Sequence, residues 1–354
     1  MTEEPFALRR EYRESNRRKV LFSIMLTCIA VGAFLFTLGF GVYDISLSHA
    51  LEVFFDHLSG NITDEEGDYY VWDVRLPRAM CAAITGVALS VAGAIMQNDF
   101  RNPLADPYTM GISSGAFLGA VLSIVAGISI IPFATDSTEI MANAFVFSLI
   151  PTAIIVAMSK FRKLTPAAMV LTGVAIMFLF SSICQVLLVT APSESLADAY
   201  MWRVGDLGNV DMDDIPLMLI PCVAITLMLY SLAGKLNVMY AGDRSAQTLG
   251  ENAGRIRIVT LVLVSFLTAS VVSFTGTIGF IGLVGPHVAR IFVGSDNRYL
   301  IPASAAFGAA FILLADTVAK VSGANGLPVG VISSMIGGPL FIWILVRQRK
   351  SAWA

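Results

Sequence analysis

Apolar residues fall along this chain in long blocks, not in the narrow stripes of soluble amphipathic helices. A helix that crosses a bilayer's hydrocarbon core needs about 20 apolar residues. On that measure ten runs qualify: 20–41, 79–97, 108–131, 142–159, 166–189, 215–233, 258–274, 278–293, 301–318 and 329–346. The second carries Gly86, Ala88, Ser90, Ala92 and Gly93. Such small residues let helix backbones approach closely in lipid, so this run predicts an interior helix wrapped by others. The eighth is interrupted by Gly279, Gly282, Gly285 and Pro286, which predicts a short or broken helix of the kind that lines cavities and hinges in transporters. Between the second and third runs, residues 97–107 hold two prolines, two asparagines and three acid or base side chains. No lipid-facing helix continues through such a segment, and Asn102 and Asp106, each followed by a proline (Pro103, Pro107), are placed to cap and brace a turn.

Composition agrees with a membrane protein. Hydrophobic residues make up 56% of the 354 and charged residues 14%, with a mean hydropathy of +0.74; a soluble domain has about 25% charged residues. Charge also orients the chain. With the N-terminus in the cytoplasm, 19 of the 23 Lys and Arg residues fall on the inner side, leaving Arg75, Arg78, Arg203 and Lys320 outside. That asymmetry and an even number of spans predict that both termini are cytoplasmic. The expected organisation is therefore a tail at 1–19, one transmembrane domain at 20–346 and a tail at 347–354, with the first run retained as a helix and not cleaved as a signal. Outside, residues 47–58 predict a short amphipathic helix followed by an acidic stretch, and Leu196, Ala199, Tyr200 and Trp202 predict one side of a surface helix. The motif TGVA occurs at Thr85 and again at Thr172, each followed by a glutamine at the end of its run (Gln97, Gln185); this is a weak trace of internal repetition.

Candidate chemistry is sparse. Cys28, Cys81, Cys184 and Cys222 all lie in apolar runs and form no CxxC pair, so they predict small core residues and no metal site. His287 follows Pro286 with no second histidine or cysteine near it, and a helix-break histidine bonded to a backbone carbonyl is the expected role. His49 and His57, eight residues apart in the outer segment, predict solvated loop histidines. Asp316 is the acid nearest a membrane interior, and Lys320 four residues on can pair with it. Ser333 and Ser334 have no histidine or lysine partner for nucleophilic chemistry. No GxxxxGK[ST] loop occurs, so nucleotide binding of that kind requires a separate polypeptide. On the inner side the one sizeable polar stretch is 234–257. Within it Asp243, after Gly242, predicts a helix N-cap, and Gly250 predicts the stop.

RLPR at Arg75, the small-residue helix ending in Gln97, RNPLADP and GISSGA together resemble the FecCD-type permease family. The likeness recurs in GTIGFIGLVGPHVARIFVG from Gly276, in ADTVAK from Ala315 and in LPVGVISSMIGGPLF from Leu327. The resemblance implies an all-α polytopic fold of about ten transmembrane helices, the type II ABC importer permease (BtuC-like) fold, with two five-helix halves of inverted topology. It implies a non-enzymatic subunit in a prokaryotic cell membrane that translocates a metal chelate, foremost an iron siderophore, with cobalamin or haem as alternatives. The partners implied are a second permease chain, two ATP-binding subunits and an extracytoplasmic binding protein; ATP acts through the partner ATPase, with no cofactor or metal held by this chain. Arg75, Arg78 and Lys320 match positions that dock the binding protein, Lys320 standing where the family has an arginine. Gly242, Asp243, Arg244, Ser245, Ala246, Leu249 and Gly250 match the segment that couples to the ATPase. Asn102, Pro103, Asp106, Pro107, Gly282, Gly285, Pro286 and His287 would form structural and hinge motifs. A different class, an ion-coupled secondary transporter, would need mid-span acids, whereas nearly every acid here lies in a loop or at a helix end.

Overall fold

The computed structural model describes residues 4–347 apart from 42, 44, 132–134, 162–164 and 324–325. In chain order come α1 (Glu4–Thr37), α2 (Leu47–Ser59) and α3 (Glu65–Asp68), which continues through a π-helical turn, Tyr69–Arg75, into α4 (Leu76–Asp99). A 3-10 turn at Pro107–Met110 leads to α5 (Ile112–Ala126), α6 (Asp136–Phe161), α7 (Pro166–Val189), α8 (Ser193–Val204), α9 (Ile215–Ser231) and α10 (Ala233–Tyr240). The rest is α11 (Asp243–Thr248), α12 (Ala253–Thr275), α13 (Ile281–Val293), α14 (Asn297–Val321) and α15 (Val329–Arg347). Among the described residues there is no strand. Among the described residues seven helices are long and apolar enough to span a membrane, or eight if α9 and α10, bent by 55°, count as one span. The two remaining runs become the shorter apolar helices α5 and α13.

The predicted N-terminal tail is helical from Glu4 and continuous with the first span, and most of the predicted C-terminal tail, 348–354, lies outside the described residues. The eighth run is the broken element its glycines predicted. Residues 276–280 are not helical, Phe280 sits at φ 68°, and α13 has 13 residues. At about 1.5 Å per residue it is roughly 20 Å long, too short for the whole core.

The centre of the molecule is α4. Its window of 18 residues is 83% buried, against 17% for α1 and 28% for α7, because its small residues act as contact points. A β-carbon on Gly86 would overlap the backbone of Gly308 in α14, and one on Gly93 would overlap the carbonyl of Gly282 in α13. A β-carbon on Gly285 would strike the Ser90 hydroxyl. Helices packed backbone to backbone gain dispersion contacts where no hydrophobic drive exists between lipid-facing surfaces. The second copy of TGVA uses its glycine in the same way, Gly173 facing Met110, but Gln185 is exposed where Gln97 is buried.

At one end of the bundle, α2 forms as predicted and is tied down by its histidines. His49 Nε2 lies 2.8 Å from Asp64 and His57 Nδ1 lies 2.7 Å from Asp68, and the His57 ring stacks on Trp72. These residues are on a helix and paired with carboxylates, not free in a loop. The surface helix α8 also forms, but only part of the expected side turns inward: Ala199 is buried and Trp202 stacks on Phe117, while Leu196 and Tyr200 are exposed.

Candidate functional site

The polar stretch at 234–257 folds into the end of α10, the six-residue α11 and the start of α12. Gly242 enters α11 at φ 115°, a conformation that favours glycine. At the other end Gly250, at φ 82°, donates to Gln247 O and Glu251 N donates to Ala246 O, the two bonds of a Schellman stop. The predicted N-cap role of Asp243 is corrected. The cap position is Gly242, and the Asp243 carboxylate is instead taken by Arg101 at 3.0 Å and Arg257 at 3.0 Å. Arg257 is itself buried and donates from Nε to the carbonyl of Asp99 at the end of α4. One carboxylate thus joins α11 to both the residue 97–107 link and α12. Ala246, a small residue in the segment expected to couple to the ATPase, is fully buried against Met239, Ala253 and Ile256 of its own chain. Arg244, Ser245 and Leu249 are exposed, Leu249 at 68% although it is apolar.

The link itself is braced as predicted. The Asn102 side chain accepts from Leu104 N at 3.0 Å, and Asp106 accepts from Tyr108 N at 2.5 Å within a capping box with Thr109; Pro107 takes the first position of the turn. The structure then brings the link to the helix break. Gly282 packs so closely on Asp106 that a β-carbon would crowd its carboxylate. Pro286, inside α13, has no N–H, so the carbonyl of Gly282 loses its helical donor. The Gln97 side-chain amide fills the place, donating to Gly282 O at 3.3 Å and Leu283 O at 3.4 Å, while its Oε1 accepts from Arg290 Nη1 at 2.9 Å. Sequence reading did not assign Gln97 this role, although a proline inside a helix always leaves the carbonyl four residues earlier seeking a donor. His287 is buried, its ring edge-on to Phe341 at 5.7 Å.

Three of the four cations expected outside, Arg75, Arg78 and Lys320, converge on one cavity of about 340 Å³ that also takes in Tyr43, Tyr70 and Asp206. They are not three free charges. Arg75 is only 3% exposed, and its guanidinium donates to Leu38 O at 2.7 Å and Tyr43 O at 2.5 Å. Its expected part in docking is corrected: it ties the end of α1 and the following turn to the base of α4. Lys320 pairs with Asp316 at 3.0 Å, as its spacing predicted, with a side chain 5% exposed. Arg78 reaches the same carboxylate from α4 at 2.9 Å and Asp206 at 3.7 Å, and its side chain keeps 21% exposure. Among the described residues no group of three metal-ligating side chains occurs.

Comparison with known proteins places this architecture. The model of the FecCD transport family matches residues 28–347. The chain is 37% identical to the hemin transport system permease protein HmuU of Yersinia pestis, over 82% of this chain and 87% of that one. It is also 37% identical to the cobalamin import system permease protein BtuC of Halobacterium salinarum, over 81% and 75%. A metal-chelate type ABC transporter solved in an inward-facing conformation superposes with a TM-score of 0.81 at 27% identity, over 92% of this chain and 99% of that one. The match runs through nearly every spanning helix described above, and this multi-pass membrane protein belongs to the FecCD transport family.

Proposed function

We propose that the chain is the permease subunit of a binding-protein-dependent ABC importer that moves an iron chelate of the siderophore class across a prokaryotic cell membrane. It works as one of two permease chains above two separate ATPases, with both termini and the 234–257 segment in the cytoplasm. The chain performs no chemistry of its own. The observation that carries this reading is α11: a short helix stopped at both ends by glycines, clamped through Asp243 to Arg101 and Arg257, and presenting the bare side chain of Leu249. A rigid lever with one exposed apolar anchor suits a pocket on a motor subunit. Arg244 and Ser245 flank that anchor, and Arg78 is the outer cation retained for docking the binding protein.

A metal chelate is supported by the likeness to a metal-chelate type transporter, with haem and cobalamin, named for two relatives, as the alternatives. An ion-coupled carrier is disfavoured because the carboxylate of Asp316 is matched by two cations. The test is Leu249→Asp. Filling a pocket with a leucine contributes on the order of 2 kcal/mol, so the variant should reach the membrane yet lose the ATPase on purification. Normal ATPase retention with full transport would move the contact elsewhere, and the 97–107 link would be next.

A further inference from the structure

We propose that the groove between α1, α9 and α14 is a binding site for one anionic phospholipid, its acyl chain lying along the groove and its headgroup held by Lys19 and Arg298. The groove has a volume of about 580 Å³ and is walled by Ala30, Val31 and Phe34 of α1 and Leu227 and Tyr230 of α9, with Ala305 on α14. Its floor is α4, at Ala83 and Val87. A space this large and this apolar does not hold ordered water, which needs several polar partners. Alanines along α14 create it: they stand where larger side chains would close the contact.

Length and charge name the occupant. Along α14 the groove runs from Ile301 to Leu313, a span of 12 residues or about 18 Å at 1.5 Å per residue. Half of a hydrocarbon core about 30 Å thick is about 15 Å, so the groove has the depth of a single leaflet. At its Ile301 end, one turn further along α14, stand the two cations. Lys19 lies over the ring of Tyr299 at 5.2 Å. Arg298 is exposed and reaches the corner between α9 and α10, next to Gly234, on the other side of the groove. Among the described residues neither is in an ion pair. Asp296, two residues before Arg298, accepts through Oδ1 from Asn237 Nδ2 at 2.6 Å and from the backbone N–H of Arg298 at 3.0 Å. Two cations flanking the mouth of a leaflet-deep apolar channel complement a phosphate at headgroup level joined to an acyl chain. This site is independent of the ATPase reading and rests only on the chain's insertion in a membrane.

The test uses the full chain in nanodiscs of phosphatidylglycerol or phosphatidylcholine, followed by native mass spectrometry of the lipid retained on release. Wild type should keep one phosphatidylglycerol at least about tenfold better than phosphatidylcholine, since each basic group near an anionic surface contributes about 1 kcal/mol. Lys19→Gln with Arg298→Gln, the first at a half-buried and the second at an exposed position, should abolish the preference while some lipid is still retained. Ala305→Leu, at a partly exposed position facing the groove, should reduce retention of both lipids, with a gel-filtration profile like wild type confirming its fold. Equal retention of the two lipids by wild type, or unchanged phosphatidylglycerol retention in both variants, would overturn the proposal. So would cross-linking of a second copy of the chain through this groove.

Discussion

Asp316 gives the sharpest test of how the end of the bundle around Arg78 and Lys320 is held together. Its side chain is fully buried and faces Arg78 at 2.9 Å and Lys320 at 3.0 Å. Asp316→Asn keeps the shape and removes the charge. It leaves the ammonium of Lys320, 5% exposed, with the hydroxyl of Thr37 at 3.2 Å as its remaining polar contact among those described. Removing one partner of a buried pair costs about 3–5 kcal/mol, because the other charge is stranded out of water. Arg78 is a fifth exposed, so its share is discounted for solvent screening, and Lys320 carries most of the penalty. The corresponding cation deletion should be milder: in Lys320→Met the carboxylate still has Arg78. Combining Asp316→Leu with Lys320→Met replaces the i,i+4 pair by apolar groups and should recover much of the loss, since such replacement is often neutral or stabilising. Reversible unfolding in detergent, followed by a double-mutant cycle, measures these differences. An Asp316→Asn variant within about 1 kcal/mol of wild type, the range of an exposed pair, would refute the buried-network reasoning.

Two further outcomes follow from the same geometry. Gln97→Leu should destabilise the protein by about 1–3 kcal/mol, the cost of stranding the buried Gly282 carbonyl; adding Pro286→Ala, which supplies the missing N–H, should restore part of it. No difference between the effects of Pro286→Ala in wild type and in Gln97→Leu would contradict the assigned bond. The His49–Asp64 pair should make the docking of α2 pH-dependent. The carboxylate of Asp64 raises the pKa of His49 above 6.5, while the backbone N–H of Gly67 and then His49 lower that of Asp64 below 3.8. The histidine's contribution is therefore complete below pH 6.5 and fades as pH rises through its higher folded value. The contribution of Asp64 is present above 3.8 and is lost as pH falls through its folded value. Protection of the Leu47–Ser59 amides, taken as exchange relative to the intrinsic base-catalysed rate at each pH, should be greater at pH 5.5 than at pH 8.5, and the difference should vanish in His49→Gln.

What could be read from sequence was what repeats locally. Blocks of apolar residues gave the spans, to the residue for Pro166–Val189, and the Gly and Pro interruptions gave the break before α13. Asp316 and Lys320, one turn apart on a helix, were a visible pair. Arg78 was not visible as their third member, because it is 238 positions from Asp316 and only packing of α4 on α14 joins them. Arg75 was misjudged for a related reason: the carbonyls of Leu38 and Tyr43 that absorb its charge carry no sequence signal. Ala246 shows the limit for small residues. They permit close approach, and nothing in the sequence says whether the approaching surface belongs to a partner or to the same chain.

The most direct measurement is transport by the chain reconstituted in proteoliposomes with the ATPase and binding protein of a metal-chelate importer from the same cell. Proposed as the permease of an ABC importer, it should take up an iron chelate only when ATP is supplied, and the loaded binding protein should stimulate ATP hydrolysis. Uptake driven by a proton or sodium gradient without any ATPase present would contradict the account.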